Sequence, residues 1–390
     1  FGFIFTFFSS FGQSYFLGIF NSSIRETLSI THGQFGSIYA SATLCSSLLL
    51  IWVGKKIDDV NVFKFALFVI ILLSFACFFF SKVSSVLLLF IGIFLMRFSG
   101  QGMMSHTAST TISRYFTKTR GRALSINWIG LSSAEFTLPV LMVYLLTFID
   151  WQNLWIIFSI TVLIVLPIAS FLLIKNLNLD SREANDENIK QVEIKQWKRK
   201  EVIKDYRFYI ISLNMLAMPW IFSGFAVFQS FVQTSKGWGP YVIAQSFMSY
   251  SIFSVLTLFL SGFLIDKFSS RKLLIYMNIP LLLAAIILFF FDTPIIAFIF
   301  LGLVGSSNGF ANILGSSTWA ELYGVKYLGS IKALSTALMV FATAFGVALF
   351  GYLIDIGFTV GDIAVVSGIY IFISLILLFL VRKKLNPVII

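Results

Sequence analysis

Long apolar runs, each bounded by Gly, Pro, Asn, Asp or charge, recur along the whole chain. They predict helices near residues 1–20, 34–54, 63–80, 84–113, 121–147 and 153–174, and a second set near 207–233, 241–265, 272–291, 294–319, 331–354 and 362–381. A run of about 20 apolar residues is what a helix needs to cross a bilayer, where every backbone N–H and C=O must be satisfied within the segment. The stretch from Lys175 to Asp205 is too charged to enter lipid. The pattern therefore predicts an all-α integral membrane protein of twelve transmembrane helices, with a six-helix bundle over 1–174, a linker over 175–206 and a second six-helix bundle over 207–390.

Composition agrees and narrows the class. Hydrophobic residues make up 58% of the 390 positions and charged residues only 12%, against roughly 45–50% and ~25% in soluble domains. The first residues, Phe1 to Phe8, already lie in an apolar run without an initiating Met, so the start reads as trimmed and a missing signal peptide carries no information. Cys45 and Cys77 fall in separate apolar segments and read as core packing. Two histidines on separate spans, with no clustered Cys or carboxylates, give no metal or redox spacing, and no cofactor is expected.

The net charge of +11 takes its meaning from where the charges sit. On a membrane protein, basic residues normally mark cytoplasmic loops rather than a nucleic-acid surface. Loops 55–64, 114–122, 175–207, 266–272 and 321–332 and the tail from Arg382 hold 24 of the 28 Lys and Arg residues. The alternate loops hold only Arg25, Lys82 and Lys236. This split predicts that both termini and the linker face the cytoplasm of a plasma (inner) membrane. The linker starts acidic (Asp180, Glu183, Asp186, Glu187) and turns basic around Trp197, Lys198, Arg199 and Lys200. Ile189, Val192, Val202 and Ile203 offer it an apolar face, so a short helix lying on anionic lipid and a solvated linker are both open.

A single offset of 208 residues aligns Gly54 with Gly262, Ile57 with Ile265, Asp58 with Asp266 and Lys64 with Lys272, then Tyr115 with Tyr323, Lys118 with Lys326 and Gly121 with Gly329. These identities cluster in the loops after the second and fourth spans of each half, which points to two parallel repeats of the kind found in transporters. Gly54-Lys55-Lys56-Ile57-Asp58 and Gly262-Phe263-Leu264-Ile265-Asp266-Lys267 through Arg271-Lys272 resemble the loop motif of the major facilitator superfamily. Asp59 stands where a basic residue is usual in the first copy, and Ser269 near the usual Gly in the second. Arg97-Phe98-Ser99-Gly100-Gln101-Gly102, followed by Tyr115-Phe116 and Arg120-Gly121-Arg122-Ala123, is similar to the fourth helix and loop of the monocarboxylate and oxalate/formate branch. That branch often has a substrate-binding Arg in the eighth span and a Lys in the first, and both are missing here. The resemblance implies gating roles for Gly54, Gly262, Arg122, Asp58 and Asp266. Combined with the repeat, it sets Asp58 near the helix start at Ser330 and Asp266 near that at Gly121.

Only Arg97, His106 and Glu135 are ionisable well within the spans. A charge near the bilayer centre costs at least ~2.5–3.5 kcal/mol on insertion scales, so each needs a partner, a wet cavity or a function. Arg97 and Glu135 lie at comparable depth on the fourth and fifth spans, which the family resemblance packs near each other, so a contact between them is expected. Such a pair either fixes helix packing or provides an anion anchor (Arg97) and a proton-coupling carboxylate (Glu135). Gln101, four residues on, extends the same helix face. His106, nine residues on at 100° per residue, falls on the opposite face and is expected to bond a neighbouring helix, with a proton relay as the other reading. His32 reads as a surface residue. Gln13 and Tyr15 on the first span, Asn214 and Trp220 on the seventh, and Asn308 and Asn312 on the tenth are substrate-binding candidates that serve equally well as helix–helix glue.

No Gly-Lys-Ser/Thr phosphate loop follows a strand, and no polar cluster suggests an enzyme. What is expected is a monomeric secondary transporter of a small organic solute, leaning to a carboxylate and coupled to a proton or ion or working by exchange. An exporter of lipophilic compounds, with some of the 46 Phe lining its cavity, is the first rival. A non-transporting sensor or enzyme is the second. The expected partners are the small-molecule substrate, a coupling proton or ion and membrane lipid, with no nucleic acid. Single cysteines at Gln191 and Lys236, probed with an impermeant thiol reagent in intact cells, test the orientation: Lys236→Cys should label and Gln191→Cys should not. The reverse pattern overturns it.

Overall fold

The computed structural model describes residues 1–57, 59–115, 120–174 and 195–387, with the side chains of 114, 115, 120–122, 266 and 316 outside the description. Among the described residues, eleven helices are long and apolar enough to cross a membrane. They are His32–Ile57, Val62–Phe80, Val86–Ser113, Ala123–Leu145, Trp151–Ile174, Tyr206–Val227, Val242–Ile265, Ser270–Phe290, Ile295–Tyr323, Leu328–Asp355 and Val360–Lys384, and they occupy the second to twelfth predicted spans. The first span departs from the expected continuous helix. It is helical over Gly2–Ser9, tightens to a 3-10 turn over Ser10–Gly12, passes through an extended Gln13 and resumes over Ser14–Ile19. No strand is present among the described residues. Large apolar side chains such as Trp52, Leu172, Phe263 and Leu380 stand outward along the spans, as lipid-facing positions require.

The chain forms two compact units. The first comprises Phe1–Asp186 with Ala226–Phe231 and Val347–Asp355, and the second Glu187–Phe225, Val232–Gly346 and Ile356–Ile390. In lipid there is little hydrophobic drive for one helix to pack on another, so close packing and interhelical hydrogen bonds hold bundles together. In the first unit Gly130 lies against the first span so closely that a Cβ there would come 2.1 Å from the Phe3 carbonyl oxygen. The third and sixth spans exchange serine bonds: Ser74 Oγ donates to the Ser159 carbonyl (3.0 Å) and Ser159 Oγ to the Ser74 carbonyl (2.8 Å). Phe11 and Phe158 stack at 4.9 Å, and Phe80 and Phe20 meet Trp155 at 4.8 and 5.1 Å, so these rings fill core rather than line a cavity.

In the second unit the eighth and tenth spans cross at Gly305, where a Cβ would be 2.2 Å from the Tyr250 carbonyl oxygen. The end of the linker folds onto this unit. Trp197 N–H donates to the Tyr323 carbonyl (3.0 Å), and Val202 is buried in a core with Phe208, Trp319 and Tyr323. Val202 is thus committed to protein rather than to a lipid-facing stripe, while Ile203 is exposed. Ile189 and Val192 lie outside the described residues. Beside Val202, hydrogen bonds from the Lys195 side chain and the Lys198 N–H hold the Glu201 carboxyl below its ordinary range. Two arginines strap the tail. Arg207 Nη1 donates to the carbonyls of Lys384 (3.3 Å) and Asn386 (2.8 Å), and Arg271 Nη1 to the Leu385 carbonyl (2.7 Å) and Asn386 Oδ1 (2.9 Å).

The turn between the eighth and ninth spans pivots on Ser269, at φ 71° and ψ 147°. This is the position near which the loop motif usually has Gly, and the conformation is one that only Gly adopts without cost, at about 1–3 kcal/mol for other residues. Glu321 then secures the helix that follows, accepting from the N–H groups of Ser270 (2.8 Å) and Arg271 (3.4 Å) and from Arg271 Nε (3.2 Å). Ser269→Gly should therefore raise the unfolding midpoint of the purified protein, whereas Ser269→Val should lower it. An unchanged midpoint for both would show that the strain is not stored at this residue.

Candidate functional site

The fourth span is α-helical over Val86–Met96, π-helical over Arg97–Met104 and α-helical again from Ser105. A π segment bonds i→i+5, which widens the helix and is found preferentially at functional sites. It also invalidates the 100° step used to place Gln101 and His106 relative to Arg97. The π segment crosses the break in the first span backbone to backbone. A Cβ on Gly12 would stand 2.3 Å from the Met96 carbonyl oxygen and 2.4 Å from the Gln101 nitrogen, and one on Gly100 would stand 2.6 Å from the Gly12 nitrogen. Only a glycine pair allows this approach.

Arg97 rises from the crossing and is 2% exposed. Its Nη1 donates to the Gly12 carbonyl (3.0 Å), which the break leaves outside the helical ladder, and more weakly to Ser14 Oγ (3.4 Å). The guanidinium carbon lies 5.3 Å from the centre of the Tyr39 ring, and the Tyr39 hydroxyl donates to Ser14 Oγ (2.9 Å). Nε has no acceptor among the described residues. Every partner of this cation is neutral.

The expected contact with Glu135 is not made. Glu135 is 6% exposed, and Arg97 donates to Gly12 and Ser14 instead. Arg97 is drawn to the broken first span because acceptors are available there. Equal depth on adjacent helices fixes height but not azimuth. Gln101 and Gln13 are half-buried near the crossing, and their side chains make no hydrogen bond among the described residues. The Tyr15 backbone carbonyl accepts from Gln229 Nε2 (2.8 Å).

Three of the four candidates in the second unit make contacts between helices. Asn214 is fully buried, its side-chain amide donating to Ser374 Oγ (3.4 Å) while its backbone carbonyl accepts from Asn278 Nδ2 (2.6 Å). Asn308 Nδ2 donates to Ser254 Oγ across the eighth and tenth spans (3.0 Å). Trp220 packs on Tyr370, with ring centres 5.2 Å apart, and Asn312 is exposed. Of the gating candidates, Gly54 has its carbonyl 3.0 Å from His106 Nε2, the interhelical bond expected of that histidine. Gly262 faces open space. Asp58 and the side chains of Asp266 and Arg122 lie outside the described residues. Sequence reading does not single out Tyr39. Its one signal is a phenol hydroxyl among the Ser and Thr residues of the second span.

A sequence model described as the Major Facilitator Superfamily matches residues 2–308. No curated protein matches the chain. Among solved structures, a bacterial homologue of the human lysosomal transporter Spinster, in an inward-facing and occupied conformation, superposes with a TM-score of 0.74 at 13% identity, over 98% of this chain and 95% of that one. The nucleoside transporter NupG gives a TM-score of 0.71 at 15% identity, over 98% of each chain. At these identities the likeness is one of fold. The family match covers well over half of the chain, which places this protein in the Major Facilitator Superfamily.

Proposed function

We propose that the chain is a secondary transporter, not an enzyme, that moves a small organic anion by alternating access, with Arg97 as the charged anchor. The observation that carries the proposal is the unfilled Nε–H of the guanidinium. Nη1 is occupied by Gly12 and Ser14, whereas Nε–H has no acceptor among the described residues. With the adjacent Nη2 it forms a planar two-point donor edge matched to a carboxylate. A buried cation without a counter-ion is costly, and an anionic substrate supplies the missing charge. Tyr39, Gln101 and Gln13 border the same crossing and complete the site. Glu135, held apart from Arg97, is available as the coupling carboxylate, so the cycle is proton-linked symport or exchange.

Membership of a transporter superfamily and a fold shared with transporters support the transport step. The substrates named for those proteins do not carry over at 13–15% identity. The monocarboxylate lean rests on Arg97 and its Gly-rich surroundings. The basic split supports a plasma-membrane protein with cytoplasmic termini, and bundles over 1–174 and 207–390 as the moving parts.

A thermal-shift screen of purified protein against small carboxylates tests the anchor, because a ligand that binds only the folded state raises the midpoint. Arg97→Lys keeps the charge but loses the two-point grip, so binding should weaken by at least about tenfold, the loss of one charge-assisted hydrogen bond of ~1.5–3 kcal/mol. Glu135→Gln should retain binding and lose the pH dependence of uptake. If Arg97→Lys binds and transports like the parent at equal folded yield, the anchor is wrong and the substrate need not be an anion.

A further inference from the structure

At the end of the first unit away from the basic loops, the amino end of the second span meets the carboxyl end of the eleventh. The Asp355 carboxylate accepts from Thr31 Oγ1 (2.6 Å), from the backbone N–H of Gly33 (2.9 Å) and from that of His32 (3.1 Å), with the His32 ring nitrogen 3.7 Å away. Arg25 lies within electrostatic range of the same carboxylate. Phe228 and Phe231 pack on the His32 ring at 5.8 and 5.5 Å. Below the carboxylate the two helices touch through glycine. A Cβ on Gly36 would stand 2.7 Å from the Val347 carbonyl oxygen, and one on Gly351 would stand 2.5 Å from that of His32.

We infer that Asp355 is a gating residue of the transport cycle, a latch that holds this end of the molecule shut by seating its carboxylate on the amino end of the second span. The inference rests on the transporter reading but not on the identity of the substrate. Three features separate a latch from a cap. The second span has a capping box of its own: Thr31 Oγ1 accepts from Gln34 N–H (3.2 Å), and Gln34 Oε1 accepts from Thr31 N–H (2.9 Å). The box leaves over the first-turn N–H groups of His32 and Gly33, and these are taken by a carboxylate that comes from another helix, so the bonds act between helices. Asp355 is exposed and His32 half-buried, so water replaces the lost bonds when the contact opens. Below the carboxylate the helices meet backbone to backbone at Gly36 and Gly351, where neither residue has a side chain to withdraw as they part.

The test places one cysteine beneath the latch. Phe35 lies one turn further along the second span and is 1% exposed. Phe35→Cys, in a background with Cys45→Ser and Cys77→Ala, is probed in membranes with an impermeant maleimide in the absence of any substrate. Asp355→Ala should speed labelling by on the order of tenfold, as expected for a shut-to-open ratio that loses about 1.4 kcal/mol. Asp355→Asn, which keeps the shape and can still accept from the backbone, should speed it by less. Thermal unfolding of each purified variant confirms that it is folded. If the folded Asp355→Asn and Asp355→Ala proteins label at the parent rate, the carboxylate is only a second cap and the latch is wrong. Failure of the organic-anion reading leaves the labelling result unaffected, and unchanged labelling leaves the anion reading intact.

Discussion

A helix in hydrocarbon cannot leave a carbonyl unpaired, and the arrangement around Arg97 follows from that constraint. The first span breaks at Ser10–Gly12, which takes the Gly12 carbonyl out of the helical ladder. The break can be tolerated only because the fourth span passes within backbone contact and delivers a guanidinium to that oxygen. The fourth span in turn accommodates the crossing by loosening into π geometry over Arg97–Met104. Break, glycine pair, π segment and arginine are thus one interdependent unit.

The energetic balance at this unit is uneven. Insertion scales put a mid-membrane arginine at ~2.5–3.5 kcal/mol, and a neutral hydrogen bond returns only about 0.5–1.5 kcal/mol, roughly 1.5–3 when one partner is charged. The Gly12 carbonyl, the longer contact to Ser14 and the Tyr39 ring face recover part of that cost. A purely architectural arginine would be expected to recover more by pairing with the carboxylate carried on the neighbouring span. Glu135 is buried without forming that pair, so the two ionisable groups are kept separately addressable.

Much of the fold was legible in the chain, because lipid imposes a length and an apolarity that a sequence displays openly. Eleven of the predicted spans recur as long helices. The broken first span was not legible: Ser9, Ser10, Gln13 and Ser14 do not by themselves stop a helix, and Gly12, one of three glycines between Phe1 and Phe20, acquires its meaning only opposite Gly100. Arg97 stood out because burying a charge is expensive wherever it points. Its partners did not, since pairing with Glu135 was inferred from depth and a helix offers many azimuths at one depth. Tyr39 was invisible for the same reason. Asp355 and His32 stand 323 residues apart at helix ends, where charge is ordinary, so nothing in either neighbourhood marks the meeting. The unusual Ser269 was visible as a departure from the loop motif, but its positive φ required coordinates.

The strap formed by Arg207 and Arg271 has a practical corollary. Both guanidinium groups spend donors on carbonyls between Lys384 and Asn386, and Leu385 between them is 2% exposed. The residues after the twelfth span are consequently part of the folded body, like a keystone set last in an arch. Shortening the chain before Lys384 would orphan two cations at once, so affinity handles and fusion partners for purification belong beyond Asn386 rather than in its place.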